Sequence, residues 1–162
     1  MVLNLKNIVL FVAVLLGIFY FIIKSPSQED VLIQHVNELS EKLEFQKQLS
    51  FLEVSNRLNK IRPYFVEDVE IVVVSNDFNK TFIGWKIIQD NLLLGTRLLN
   101  SLNVNLKFNT ISIQKNRAYI EIIAMGRGTD SQSIEFEEKI LLNLHLIKKE
   151  SWQIEKFKAE RM

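Results

Sequence analysis

A strict alternation of apolar and polar residues near the carboxyl terminus limits the folds open to this chain more than any other feature. Alternate positions from Ile134 to Leu146 are apolar except for Glu138. After a Lys-Lys-Glu-Ser corner, the pattern resumes at Trp152 and Ile154. A period of two is typical of a strand with one buried face, so this stretch predicts a long antiparallel hairpin. The chain must therefore contain a sheet that is covered on one side.

Other stretches with strand character precede this hairpin. A β-branched run from Val66 to Val74 predicts a buried strand, and residues 117–125 are apolar on both parities, which predicts a central strand. The alternation through residues 104–113 changes parity at Asn109, and the last strand changes parity at Phe157. Each change of parity predicts a β-bulge and a bent strand.

Helical patterns lie on the amino-terminal side of these strands. Residues 27–30 (SQED) and 50–53 (SFLE) are capping boxes, each followed by one apolar stripe at spacings of three and four. Pro63 ends the second helix, and Gly84 precedes a third helix whose wide apolar face extends from Trp85 to Leu102. The order of elements predicts an α+β fold in which a curved antiparallel sheet wraps one long helix.

That order and the final hairpin carry a resemblance to a known superfamily. Residues 27–162, and in particular "FIGWKIIQDNLLL" and "LLNLHLIKKESWQIEKF", resemble the nuclear transport factor 2-like, or SnoaL-like, cystatin-like roll. The resemblance implies the roll fold. Because the superfamily includes enzymes, binding proteins and scaffolds, the resemblance does not imply one function.

The amino-terminal segment predicts attachment to a membrane. Sixteen residues from Ile8 to Ile23 lack charged and strongly polar groups, and lysines bracket them. At about 1.5 Å per residue they nearly span a bilayer core. We expect a transmembrane anchor over residues 1–24, a linker over 25–27 and the α+β domain over 28–162. A cleavable signal peptide is the alternative.

Charge and composition limit the location and the partners of the domain. Lys6 on the amino-terminal side of the span favours a cytoplasmic amino terminus and an exported domain at a bacterial-type inner membrane. Beyond Lys24, acidic residues outnumber basic ones by one, so no basic face for nucleic acid is expected. Cysteine is absent, which excludes disulfides and thiolate metal sites.

Two sets of residues are candidates for a functional site. The first is a polar row on the parity opposite the apolar residues of the hairpin strand, which predicts a contact surface for a protein partner or a second copy. Its members are Glu135, Glu137, Lys139, Asn143 and His145. The second is a set of aromatic residues that could line an apolar small-molecule pocket in the roll, namely Trp85, Phe108, Tyr119 and Phe136.

Motifs for chemistry are weak in this sequence. His35 and Glu38 lack a third metal ligand nearby, and Gly126-x-Gly128 opens no helix and is interpreted as part of a turn. Asn79-Lys80-Thr81 matches a glycosylation pattern that often occurs by chance. Asp77, Asp90 and Tyr119 could in principle form an acid–base pocket, but their spacing in the sequence gives no sign that they lie together. We expect no cofactor and no metal.

The sequence therefore favours one function over another. A linker of three residues holds the domain at the bilayer surface, which suits a subunit of a membrane assembly. The primary expectation is a non-catalytic, membrane-anchored interaction or scaffold module. The alternative is a small-molecule-binding or SnoaL-like enzymatic domain with an apolar pocket, in which His145 would be the general base if the polar row faces inward.

Overall fold

A computed structural model of the protein describes residues 26–75 and 78–162. Within these residues the chain forms three α-helices, a short 3₁₀ turn and one six-stranded sheet. The helices are α1 (Gln28–Leu43), α2 (Phe51–Ile61) and α3 (Trp85–Leu98), and Arg62–Tyr64 form the 3₁₀ turn. The strands are β1 (Phe65–Ser75), β2 (Phe78–Ile83), β3 (Leu99–Gln114), β4 (Arg117–Asp130), β5 (Glu135–Lys148) and β6 (Trp152–Arg161).

Both predicted capping boxes are present. At the start of α1, the Ser27 hydroxyl accepts a hydrogen bond from the Asp30 backbone N–H at 3.0 Å, and the Asp30 carboxylate accepts one from the Ser27 N–H at 3.1 Å. Ser50 and Glu53 repeat this arrangement at α2. The Ser27 hydroxyl and N–H both donate to the Asp30 carboxylate, and the Ser50 N–H and hydroxyl both donate to Glu53. These bonds favour the ionised carboxylates and lower the pKa of Asp30 and of Glu53.

The sheet is mixed, which corrects the prediction of an antiparallel sheet. Its strand order is β2-β1-β6-β5-β4-β3. All neighbours are antiparallel except β1 and β6, which run parallel, with Ile71 opposite Phe157. The predicted strand β1 thus pairs with β6, the last strand of the chain. Alternation along one strand determines which side chains are buried but does not determine its neighbour, so the pattern could not show this pairing.

Two boundaries and one strand differ from those expected from the sequence. Helix α3 ends at Leu98, so Leu99 and Leu102 belong to β3. Strand β4 continues to Asp130, which places Gly126 and Gly128 inside the strand and not in a turn. The short strand β2 was not expected.

The two predicted β-bulges are present. The register of β3 against β4 shifts between Phe108 and Thr110, as predicted. The β6 bulge is at Glu155, because Ile154 and Lys156 pair with consecutive residues of β5. The parity change predicted this bulge at Phe157, and the structure has it two residues earlier.

The core lies between the helices and one face of the sheet. The predicted stripes of α1 and α2 supply Leu32, Val36, Leu39, Val54, Leu58 and Ile61, all less than 9 % exposed. The sheet supplies Ile120 and Ile122 from β4 and Leu146 from β5, each with no exposed surface. Trp152 is 4 % exposed, as expected for a core residue.

The described residues contain no helix that is both long and apolar enough to cross a membrane. The predicted anchor, residues 1–24, lies outside the described part of the chain. Its presence and orientation therefore stay predictions.

Candidate functional site

The inner face of the sheet is apolar, whereas the outer face mixes polar residues with partly buried apolar ones such as Ile123 and Leu141. On β4, Ala118, Ile120 and Ile122 are buried on the inner face, and on β5 the buried residues Leu144 and Leu146 share that face. The intervening residues therefore point to the outer face. They include the predicted polar row of β5.

Three residues of β4 and β5 form a hydrogen-bonded and stacked cluster at one end of the outer face. The Tyr119 hydroxyl donates a hydrogen bond to Asn143 Oδ1 at 2.6 Å. The Tyr119 and His145 rings meet edge to face, with centroids 5.2 Å apart. A cleft of about 430 Å³ opens beside His145 and is also lined by Arg117 and Lys156. The cluster thus combines partly exposed aromatic and hydrogen-bonding groups with the exposed His145 ring.

The other end of the polar row lies beside a second cleft. Glu137 forms an ion pair with Arg127 of β4 at 2.8 Å, and both side chains are more than half exposed. These two residues, together with Glu135 and Phe136, line a cleft of about 500 Å³. Lys139 lies between the two ends and is exposed. The five predicted surface residues therefore share one strand and one face but end at two separate clefts.

Among the residues that the structure describes, two small apolar cavities of about 170 Å³ each lie between the helices and the sheet. The first, the roll cavity, lies between α1 and the inner face of the sheet. Among the described residues that line it, Ser40 alone is polar. The second, the helix cavity, lies among α1, α2, α3 and β3 and has Lys42, Arg57 and Thr96 at its wall. Leu43 and Val104 line both cavities.

Among the described residues, the four aromatic residues predicted to line a pocket lie in different parts of the fold. Trp85 packs on Phe65, with ring centroids 5.6 Å apart, and Phe108 packs against the core from β3. Phe136 lies at the cleft near Glu137. Tyr119 points to the outer face, because its neighbours Ala118 and Ile120 are buried on the inner face. The sequence of β4 is apolar on both parities, so it did not predict this orientation.

A partly buried cluster of ionisable groups, which the sequence analysis missed as a unit, surrounds His35 on α1. The His35 ring lies 4.5 Å from the Tyr64 ring, and the Tyr64 hydroxyl donates to Glu38 Oε2 at 3.3 Å. Lys42 Nζ lies 5.2 Å from the centre of the same Tyr64 ring. His35, Glu38 and Lys42 are spaced i, i+3 and i+7 along α1, which places them on one side of the helix, and this spacing was visible in the sequence. The contact of Tyr64 with them depends on the tertiary fold and was not visible.

Burial changes the protonation of His35. Its Nε2 atom is buried and has no hydrogen-bond partner. Desolvation lowers the pKa of His35 below 6.5, and Lys42 lowers it further, whereas a backbone hydrogen bond to Trp152 and the Glu38 carboxylate oppose the shift. For Lys42, the hydrogen bond with Tyr64 raises the pKa. The native state therefore favours neutral His35.

We expect the stability of the domain to fall as the pH drops below 6.5. The unfolded chain binds a proton at His35 more readily than the native state does. The contribution of neutral His35 to the free energy of unfolding is therefore complete above pH 6.5, the ordinary pKa of histidine in the unfolded chain. It is lost as the pH falls from 6.5 to the lower pKa of His35 in the native state. The slope from one proton is at most about 1.4 kcal/mol per pH unit. Urea unfolding at pH 7.5 and 5.5 measures it. His35→Leu should flatten the dependence and His145→Gln should not, and the same dependence in all three proteins would contradict this assignment.

The remaining sequence motifs are dispersed. Asp90 is exposed and pairs with Lys86 on α3, far in the fold from the Tyr119 cluster, and Asp77 lies outside the described residues. Asn79 and Thr81 are exposed on β2. Within residues 26–75 and 78–162, no three His, Cys, Asp or Glu side chains are grouped so that they could hold a metal ion.

Comparisons with known proteins define the fold. No protein-family model matches the sequence, and no curated protein matches it. A candidate scytalone dehydratase from Novosphingobium aromaticivorans is similar in structure, with 11% identity, a TM-score of 0.65 and coverage of 81% of each chain. Aln2 from a Streptomyces species is 12% identical, with a TM-score of 0.61, over 85% of this chain and 94% of that chain.

A ketosteroid isomerase-like protein from Erwinia carotovora atroseptica is also similar. It is 12% identical, with a TM-score of 0.54, over 68% of this chain and 87% of that chain. Together these likenesses confirm the nuclear transport factor 2-like, SnoaL-like fold that the sequence predicts. At such low identity they show the fold alone.

Proposed function

We propose that this protein is a non-catalytic interaction module that binds a protein partner, or a second copy, through the outer face of its sheet. In this proposal, residues 1–24 hold the exported domain at the membrane as part of a membrane-associated assembly. The observation that carries the proposal is that the polar row of β5 and the aromatic and hydrogen-bonding residues beside it lie together on the outer face. The groups that could recognise a partner lie on the outer face, around Tyr119, Asn143 and His145.

The lining of the interior supports a role without catalysis. General acid–base catalysis needs an ionisable group within hydrogen-bonding reach of the substrate. Among the described residues that line the two interior cavities, there is no carboxylate and no histidine, and Lys42 and Arg57 are the ionisable residues. Arg57 donates to the backbone carbonyls of Lys42 and Glu44, where it caps the end of α1. These features favour binding over proton transfer.

The composition of the outer face supports a polar protein interface. Aromatic and hydrogen-bonding residues are common at the centres of such interfaces. Cross-strand ion pairs, such as Lys156 with Glu70 at 2.8 Å, keep many charges of this face satisfied before a partner binds. A partner would therefore gain contact area without leaving many unpaired charges.

We expect the double substitution Glu137→Lys, His145→Glu to weaken association while leaving the fold nearly unchanged. Both side chains are exposed, and substitutions of this kind usually change stability by about 0.5 kcal/mol or less. The measurement is co-purification of the full chain from membranes in mild detergent, with light scattering to follow self-association. The control exchanges the exposed helix residues Glu41→Lys and Lys60→Glu. Equal retention of partners by both double variants would refute the proposal.

A second candidate function is the binding of a small apolar molecule in the interior. The observation that favours it is that Leu43 and Val104 line both cavities, so a change in the Leu43 side-chain conformation is a means of joining them. The joined space would suit a molecule of modest size with few polar groups. The fold neighbours include a ketosteroid isomerase-like protein, which is consistent with a ligand in the interior.

Filling the helix cavity tests this candidate. Gly95 lines that cavity, and a Cβ atom added there would have no atom within 4 Å. We expect Gly95→Leu to fold and to abolish retention of any small molecule found by mass spectrometry of the purified full chain. Gly95→Ala should retain that molecule and should stabilise the helix by about 0.5–1 kcal/mol. A molecule that persists in Gly95→Leu would place the ligand elsewhere.

A further inference from the structure

We propose that the free edge of β3 binds an extended, acidic segment of a partner protein by adding it to the sheet as a seventh strand. Strand β3 is the last in the strand order, so no strand formed by residues 26–75 or 78–162 lies on one side of its backbone. This surface is distinct from the outer face of the sheet. The proposal therefore stands or fails independently of the function proposed above.

The chain itself shows that this edge accepts hydrogen bonds from another segment. At the start of β3, the backbone of Leu102 exchanges both of its hydrogen bonds with Phe45, at 2.8 and 2.9 Å. Two residues further on, the Val104 N–H donates to the Glu44 carboxylate at 3.0 Å. The connection between α1 and α2 thus covers the first part of the edge with the contacts that a strand would make.

The rest of the edge is open within the described residues. Because backbone groups alternate in direction along a strand, the residues that follow Leu102 and Val104 on the edge side are Leu106 and Phe108. Beyond the bulge, the pairing of Ile111 with Ile120 and of Ile113 with Ala118 continues the same phase. No described residue pairs with the edge side of these four residues. Each offers one N–H and one C=O to a partner.

The side chains of the same four residues favour an added strand. They point to the inner face, and all four are only partly buried although they pack against the core. An added strand would place its own alternate apolar side chains beside them and would remove apolar surface from water. Backbone hydrogen bonds and these contacts together are the usual means of recognition by strand addition.

Charge identifies the chemistry of the added segment. The sequence of β3 contains Lys107 and no acidic residue, and Lys115 follows it directly in the turn to β4. Both lysines are exposed. The carboxylate of Glu121 on the next strand accepts a hydrogen bond from Asn109. A segment with carboxylates on its outward-facing positions would complement the two lysines, whereas a second β3 would place lysines near one another.

Hydrogen exchange with a model peptide tests the proposal on the full chain in mild detergent. The probe is a blocked nine-residue peptide in which valine and glutamate alternate. At about ten times its dissociation constant, it should slow exchange of the amides of Leu106, Phe108, Ile111 and Ile113 about tenfold. The Ser112 amide, which faces β4, should be unaffected. Absence of this alternating protection would overturn the proposal.

Two pairs of variants test the backbone and the charge separately. Ile111→Pro removes an edge N–H without removing a hydrogen bond to β4. Ile111→Ala is its control, because it also removes the isoleucine side chain but keeps the N–H. Ile111→Pro should therefore bind the peptide about fivefold more weakly than Ile111→Ala. Lys107→Glu should weaken binding, and Lys60→Glu on α2 should not.

Equal affinity for a valine–lysine peptide would overturn the assignment of an acidic partner. Protection of the same four amides that rises with protein concentration, without peptide, would also overturn it, because a second copy would then be the occupant.

Discussion

Replacement of Trp152 by alanine is expected to lower the free energy of unfolding by about 3–5 kcal/mol, the range for truncation of large aromatic residues in cores. Trp152 is 4 % exposed and begins β6, where it pairs with Lys148 at the final hairpin. Its ring also lies 5.7 Å from Lys148 Nζ. Truncation would open a cavity at the point where the last strand, the helices and the 3₁₀ turn meet. Urea denaturation of the full chain measures the loss.

An exposed aromatic residue provides the control for Trp152. Phe51 is 74 % exposed at the start of α2, so Phe51→Ala should change the same free energy by about 0.5 kcal/mol or less. Since small domains are stable by only about 5–15 kcal/mol, Trp152→Ala should be clearly separated from this control. Similar small effects of both substitutions would mean that Trp152 does not anchor the core.

Gly128→Ala is expected to destabilise the domain by about 1–3 kcal/mol or more, the cost of forcing extra atoms into a packed site. A Cβ atom there would overlap the Ser101 carbonyl oxygen and would lie 2.9 Å from the Ser101 carbonyl carbon and 3.1 Å from Phe136 Cζ. The Ser101 atoms belong to backbone, which cannot rotate away. The close approach occurs beside a register shift between Leu99 and Ser101, so the added methyl group would push β3 away from β4.

The neighbouring glycine supplies a control in the same strand. At Gly126 the nearest atom to an added Cβ is Leu102 Cδ1 at 3.9 Å, an ordinary contact. Gly126→Ala should therefore be neutral or stabilising by up to about 1 kcal/mol, because alanine restricts the unfolded chain more than glycine does. Thermal unfolding of the two variants measures the difference. Equal losses at both positions would show that strand pairing near Gly128 is looser than described.

The sequence alone determined the features that depend on neighbours along the chain. The capping boxes at Ser27 and Ser50 involve residues three apart, so their hydrogen bonds follow from local geometry. The period of two in β5 placed the Glu135–His145 row opposite the apolar residues, and the parity change at Asn109 located a bulge. The class of fold and the position of the polar row on β5 were therefore predictable.

Only the tertiary structure decided the features that depend on contacts between distant segments. Parallel pairing of β1 with β6 joins residues far apart in sequence. Tyr119 points outward because the helices cover the other face of β4, a choice that a strand apolar on both parities leaves open. Gly128 is constrained by a carbonyl from another strand, and the two interior cavities depend on how α1, α2 and α3 fill the roll. The spacing of apolar residues along the chain predicts which residues are buried, whereas packing between helices and strands determines which residues each of them contacts.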